Sequence, residues 1–262
     1  MTEYESNDQE LSFMEHLIEL RSRLLKASFA VLAVLVVLLP FSRKLYAALA
    51  APLTAVLPEG SSMIAIDVAS PFLTPFKLAL LLALILSIPV VLYQLWAFVA
   101  PALYRKEKRL ARPLLYSAVL LFYAGCAFAY FVVFPLVFGF FTRVAPDGVT
   151  VMTDISKYLD FVITLFLAFG ITFEVPIATI ILVATGITTI DKLKKIRAYV
   201  LVGAFAFGML LTPPDVISQT LLALPMWLLF EIGLLMSWIL LPHRRSAAEE
   251  NPDADDQDQA IS

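Results

Sequence analysis

The apolar runs constrain this chain more than any motif it carries. About 30 Å of hydrocarbon is crossed by a helix of roughly 20 apolar residues. Six runs approach or exceed that length: Leu24–Phe41, Pro75–Phe98, Pro113–Phe141, Tyr158–Ala184, Ala198–Leu211 and Val216–Leu241. The composition agrees, since 60% of residues are hydrophobic and 16% charged, whereas soluble domains hold about 45–50% apolar residues. The expectation is an all-α membrane protein with six transmembrane helices, forming a single polytopic domain over residues 1–245. The fifth run is the odd one, because its 14 residues reach only about 21 Å as helix. It must thin the bilayer, lie behind its neighbours or re-enter. "TPPD" at 212–215 ends it, since Pro213 and Pro214 cannot continue a helix.

Orientation follows from lysine and arginine. With the N-terminus inside, 14 of these residues fall in inside segments and 5 in outside ones, which places both termini in the cytoplasm and agrees with an even number of spans. The net charge of −3 hides this bias, because six acids lie in the last fourteen residues and six more precede Leu20. The acidic stretch 246–262 is low in apolar residues and is expected to be a disordered cytoplasmic tail. The N-terminus lacks the basic region and cleavage site of a signal peptide, so the first apolar segment is expected to be retained. "LSFMEHLIELRSRLL" opens with Ser12 and Glu15 at capping-box spacing, followed by apolar residues at helical spacing, which predicts an amphipathic helix running into the first span. The first outer segment, Ser42–Thr74, is long and apolar and is expected to hold short helices. Cys126 lies in an apolar run and reads as a small buried hydrophobe.

Soluble-enzyme chemistry finds no foothold. There is no phosphate-cradling glycine loop, no zinc-binding His-Glu-x-x-His and no Gly-x-Ser-x-Gly elbow, and His16 and His243 are far apart. No enzyme activity, metal, cofactor or nucleic-acid partner is expected. The chain offers instead polar residues at depths where they are costly, about 2.5–3.5 kcal/mol for a charge at the centre of a span. Glu174, in "FLAFGITFEVPIATIILVA", precedes Pro176 by two residues, so its helix is expected to kink there. Glu231, in "LLFEIGLL", lies at nearly the same distance from the cytoplasmic end of the last span, and the shared depth suggests an interior groove. The alternative for each is packing alone, with the carboxyl hydrogen-bonded inside the bundle. On the inner side, Glu19 and Glu107 stand among bases, where paired carboxylates suit a ligand bearing guanidinium groups. Trp96 and Phe98 precede the basic loop, and Trp96 reads as an interfacial anchor.

"HLIELRSRLL", "APL" at 51–53, "DVASPF" at 67–72, "YQLWAFVAPALY", "FAYFVVFPL", "FEVP", "RAYVLVGAFAFGMLLTPPD" and "SQTLLALPMWLLFEIG" together resemble TatC, the multispanning receptor subunit of the twin-arginine protein translocase. The likeness runs from about His16 to Gly233. It implies a glove-shaped concave bundle in the bacterial cytoplasmic membrane. It also implies a receptor for paired-arginine signal peptides that exports folded proteins using the proton-motive force. By the resemblance, signal peptides are read by Glu19, Arg21, Phe98 and Glu107, and Glu174 lies in the concave groove. Met209, Thr212 and Gln219 map to the contact with the single-span partners TatB and TatA. Pro52 and Asp215 map to outer-loop positions that matter for transport. Other copies of the chain and membrane lipid complete the implied partners. The rival reading is a proton-coupled secondary transporter of a small substrate, with Glu174 on a broken helix. It calls for internal repeats and a midplane cluster of polar groups, and the sequence shows neither.

Overall fold

The computed structural model describes residues 2–54, 63–99, 111–137, 139, 153–211 and 216–241. Its helices are α1 (Thr2–Leu38), α2 (Ser42–Thr54), α3 (Ser70–Val99), α4 (Ala111–Phe128), α5 (Ile155–Thr172), α6 (Val175–Ala184), α7 (Ile190–Lys195), α8 (Arg197–Leu211) and α9 (Val216–Leu240). Among the described residues, five helical stretches are long and apolar enough to cross a membrane: Leu17–Ala51, Ser70–Phe98, Arg112–Val137, Ile155–Ala184 and Leu222–Leu240. The helix Arg197–Met209 is apolar but shorter. The 17 C-terminal residues from 246 to 262 lie outside the described residues.

Prolines shape the helices more than they end them. No glycine or proline occurs between Thr2 and Leu38, so α1 is one unbroken helix that starts ten residues before Ser12. Pro40 sits in the first two positions of a 3-10 turn, Leu39–Phe41, where its missing N–H is not needed. The chain therefore passes helically from α1 into α2, and the first apolar helix runs on into residues expected to be outer loop. After α4 a π-helical turn covers Ala129–Val133, immediately before Pro135, which has no N–H to give the preceding turn.

The chain divides into two compact units. The first holds α1, α2 and α3 with residues 111–119 and 134–164. In it Val31, Val34, Leu35 and Leu38 of α1 pack on Ala79 and Ala83 of α3. The rest of α1 leaves large apolar side chains such as Phe29, Leu32 and Val36 exposed, as lipid solvent permits. Trp96, expected as an interfacial anchor, is 6% exposed and counts among the buried core residues.

One end of the first unit is tied by polar groups. Asp154 Oδ1 accepts from the backbone N–H groups of Ser156 and Lys157 at 2.9 and 3.0 Å, capping the start of α5. Its Oδ2 accepts from Ile66 N at 3.0 Å. The segment around Ile64 bridges to the same place, with Ile64 N donating to Thr153 O at 3.0 Å and Ile155 N to Ile64 O at 2.9 Å. The Ser156 hydroxyl then lies 2.8 Å from that of Ser70 and 3.0 Å from that of Thr74, and both partners are buried at the start of α3. Lys77 donates to Asp160 at 2.9 Å, and Tyr158 to the carbonyl of Leu49 in α2 at 3.0 Å.

Of the described residues, the second unit holds 120–133, 165–211 and 216–241. Its helices meet through glycine. A Cβ at Gly125 of α4 would fall 2.5 Å from the carbonyl oxygen of Phe169 in α5, and one at Gly170 would fall 2.7 Å from the Phe122 ring. Phe128 completes this contact with ring centroids 5.4 Å from Phe169 and 5.7 Å from Phe173. Cys126 is buried beside it.

Two outcomes follow from this packing. Gly125→Val should lower thermal stability in detergent by about 1–3 kcal/mol through overpacking, whereas Gly203→Ala, with nothing within 4 Å, should leave it unchanged. Asp154 is held below its ordinary 3.8, first by the Ile66 N–H, then by the Lys157 and Ser156 N–H groups and the Lys157 charge, against desolvation. Its folded value is depressed, so its stabilisation is present above 3.8 and is lost as pH falls through that lower value. Asp154→Ala should accordingly lower the hydrogen-exchange protection of the Ile66 and Ser156 amides at neutral pH, and the difference from the wild-type protein, compared at equal pH, should vanish in acid.

Candidate functional site

The expected kink is present, and Glu174 occupies it. α5 ends at Thr172 and α6 begins at Val175. Pro176 stands in the first turn of α6 and offers no N–H to the carbonyl four residues before it. The turn is closed by Phe173 N to Phe169 O at 2.9 Å, Glu174 N to Ile171 O at 3.0 Å, and Ala178 N to Glu174 O at 2.9 Å. Glu174 is thus the N-cap residue of α6, yet its side chain makes no capping hydrogen bond. It is half-buried, and its Oε1 is buried with no partner among the described residues.

α9 packs against α6 at the same place. A Cβ at Gly233 would lie 2.9 Å from Pro176 Cα and 3.0 Å from Thr179 Cβ, so the kink proline and this glycine meet backbone to backbone. Glu231, two residues before Gly233, has its own partner: its Oε2 accepts from Arg197 Nη2 at 2.8 Å. Its Oε1, like that of Glu174, is buried and unpartnered. In the sequence Arg197 stands in a basic run that positive-inside charge explains, and the pair spans 34 residues, so no local spacing could have revealed it.

α8 and α9 form an antiparallel hairpin. Arg197 at the start of α8 meets Glu231 far along α9, while Gly208 near the end of α8 meets Gln219 and Leu222 near the start of α9. Gln219 donates from Nε2 to the backbone carbonyl of Phe205 at 2.8 Å. One of its two amide N–H groups is therefore engaged within this unit. Met209 is exposed. Thr212 and Asp215, in the connection of this hairpin, lie outside the described residues, as does Glu107.

The remaining expected positions belong to the first unit. Glu19 accepts from Arg23 Nε at 2.9 Å within one helical turn, an i,i+4 spacing legible in the sequence. Arg21 is exposed beside it, and Phe98 is half-buried at the end of α3. Pro52 lies in the last turn of α2. The described residues therefore bring Glu174 together with the α6–α9 contact and Glu231 with Arg197, and they leave the relation of Glu19 to Glu107 open.

Comparison with known proteins gives these positions a context. Residues 15–225 match the family model "Sec-independent protein translocase protein (TatC)". The chain is 57% identical over 252 residues to the Sec-independent protein translocase protein TatC of Azotobacter chroococcum, covering 96% of this chain and 99% of that one. It is 58% identical over 234 residues to the TatC of Escherichia coli K12, covering 89% and 91%. Its structure matches the crystal structure of a twin-arginine translocase receptor, TatC, with a TM-score of 0.75 at 37% identity over 86% of this chain and 98% of that one. With the family model covering most of its length and relatives this similar over nearly all of theirs, the chain belongs to the TatC family of Sec-independent protein translocase proteins.

Proposed function

We propose that this chain is the membrane receptor and core subunit of a twin-arginine translocase. It recognises paired-arginine signal peptides and works with the single-span subunits TatB and TatA, and with further copies of itself, to export folded proteins across the bacterial cytoplasmic membrane on the proton-motive force. The observation that carries the reading is membership of the TatC family over residues 15–225, a span that includes Glu19, Arg21, Phe98, Glu107 and Glu174. That membership leaves the small-substrate transporter without support.

The chemistry of reading arginines supports the assignment of the binding residues. A carboxylate accepts a guanidinium through two parallel hydrogen bonds, which an ammonium reproduces poorly. Glu19 lies 16 residues before Leu35 on α1, and Phe98 lies 15 after Ala83 on α3, or about 22–24 Å from the shared α1–α3 contact. With the two helices crossing the bilayer in opposite directions, both residues reach the same end of the α1–α3 pair. Glu19 begins with Arg23 as its partner, so an incoming arginine exchanges with a resident one, and the carboxylate is not left unpaired in the empty receptor. The 14 to 5 distribution of basic residues puts both termini on that cytoplasmic side. Glu174, on a kinked helix with an unpartnered buried oxygen, supplies the polar point of a groove that takes part of the signal peptide or a partner helix.

Glu107→Ala should weaken binding of a paired-arginine signal peptide to the purified protein about 10- to 100-fold, the loss of a charge-assisted pair, with membrane insertion unchanged. Equal binding by the variant would remove Glu107 from the recognition site. Glu174→Gln should reduce transport at unchanged abundance of the protein; a loss that tracks abundance alone would return Glu174 to a packing role.

A further inference from the structure

We infer that the Arg197–Glu231 ion pair fixes the register of the short helix α8 along α9, and thereby presents the face that carries Met209 and Gln219. Arg197 is the one charged residue in α8 and Glu231 the one charged residue in α9. Each helix thus has a single site at which the other can satisfy it. The rest of the contact is permissive. Between Arg197 and Met209 only Ala204 and Gly208 are buried, so α8 is packed through two small residues, while Tyr199, Val202 and Phe207 remain exposed.

Apolar packing of that kind selects register weakly in lipid, because hydrocarbon tails replace leucine contacts at little cost. The hydrogen bond from Gln219 to the Phe205 carbonyl does not select it either, since every residue of α8 offers a carbonyl. The ion pair does. A slip of one helical turn, about 5.4 Å, would separate Arg197 from Glu231 and leave both charges without a partner in a medium that penalises them. Glu231 Oε2 is held at 2.8 Å, and the two side chains are 23% and 46% exposed for Glu231 and Arg197. A 15-residue helix too short to be registered by spanning the bilayer is thus registered by charge. Arg197 and Glu231 are positioning residues, acting through the hairpin. The importance of the presented face rests on the proposed contact with single-span partners, whereas the register itself does not.

The test uses the full chain carrying Cys126→Ala, with Gly208→Cys and Leu222→Cys reporting register. A Cβ at Gly208 lies 3.8 Å from that of Leu222, the mean Cβ separation of a disulfide at about 3.8 Å. The crosslink should form readily in membranes. It should form about three- to tenfold more slowly in Arg197→Ala or Glu231→Ala, as for loss of a partly exposed ion pair, and recover in the charge exchange Arg197→Glu with Glu231→Arg. Unchanged crosslinking in both single variants, or failure of the exchange to restore it, overturns the inference. If a single variant does not accumulate, the exchanged protein decides alone: crosslinking at the original rate supports the pair, and its loss overturns it. In parallel, Met209→Cys should crosslink to a single-span partner helix, less in the single variants and again in the exchange. Absence of that crosslink with the native ion pair intact counts against the partner reading and leaves the register result standing.

Discussion

Hydrocarbon supplies no hydrogen-bond partner, and the architecture of this chain follows from that constraint. Each backbone N–H and C=O within the bilayer must be satisfied by the helix that carries it, and a polar side chain there is costly without a partner. Where proline removes a donor, the chain answers with a local device. Pro40 is absorbed by a 3-10 turn, Pro135 follows a π-helical turn, and Pro176 divides one apolar run into α5 and α6. The third device sets a carboxylate at the break, where the kinked helix meets Gly233 of α9. A helix bend and an acid at bilayer depth are each tolerated only with neighbours. Here they occupy the same two turns of helix.

Charge at depth is treated in two ways. Glu231 is paired with Arg197 across the α8–α9 hairpin, and the pair does work that apolar contacts between two thinly packed helices cannot. Glu174 keeps an oxygen buried and unpartnered, which leaves capacity for a ligand. Glu19 follows the first pattern with Arg23, within one turn of a single helix. At the far end of the first unit, Asp154 collects three backbone N–H groups and ties the Ile64–Ile66 segment to the start of α5.

Much of the fold was legible because the bilayer reduces it to one dimension: length and hydropathy place helices, and Pro176 places a kink. What escaped has specific causes. The start of α1 at Thr2 escaped because Ser12 and Glu15 imitate a helix start inside a stretch with no breaker. That Trp96 is buried was not legible, because tryptophan's preference for the interface does not distinguish burial from exposure. The Asp154 network joins residues 88 positions apart, and the Arg197–Glu231 pair hides one member in a basic run that positive-inside charge already explains. Gln219 was singled out only through the resemblance, and nothing in the sequence indicated that the Phe205 carbonyl of its own hairpin would accept one of its N–H groups.

The central claim is that the carboxylates of this chain read paired guanidinium groups on behalf of a protein translocase. The direct measurement is binding of the purified chain, in mild detergent, to a signal peptide bearing two arginines and to the same peptide with two lysines. Retention of charge with loss of the planar fork separates chemistry from simple electrostatic attraction. The account predicts saturable binding of the arginine peptide and a binding weaker by about tenfold or more for the lysine peptide. Equal affinity for both, or binding of neither, would contradict it.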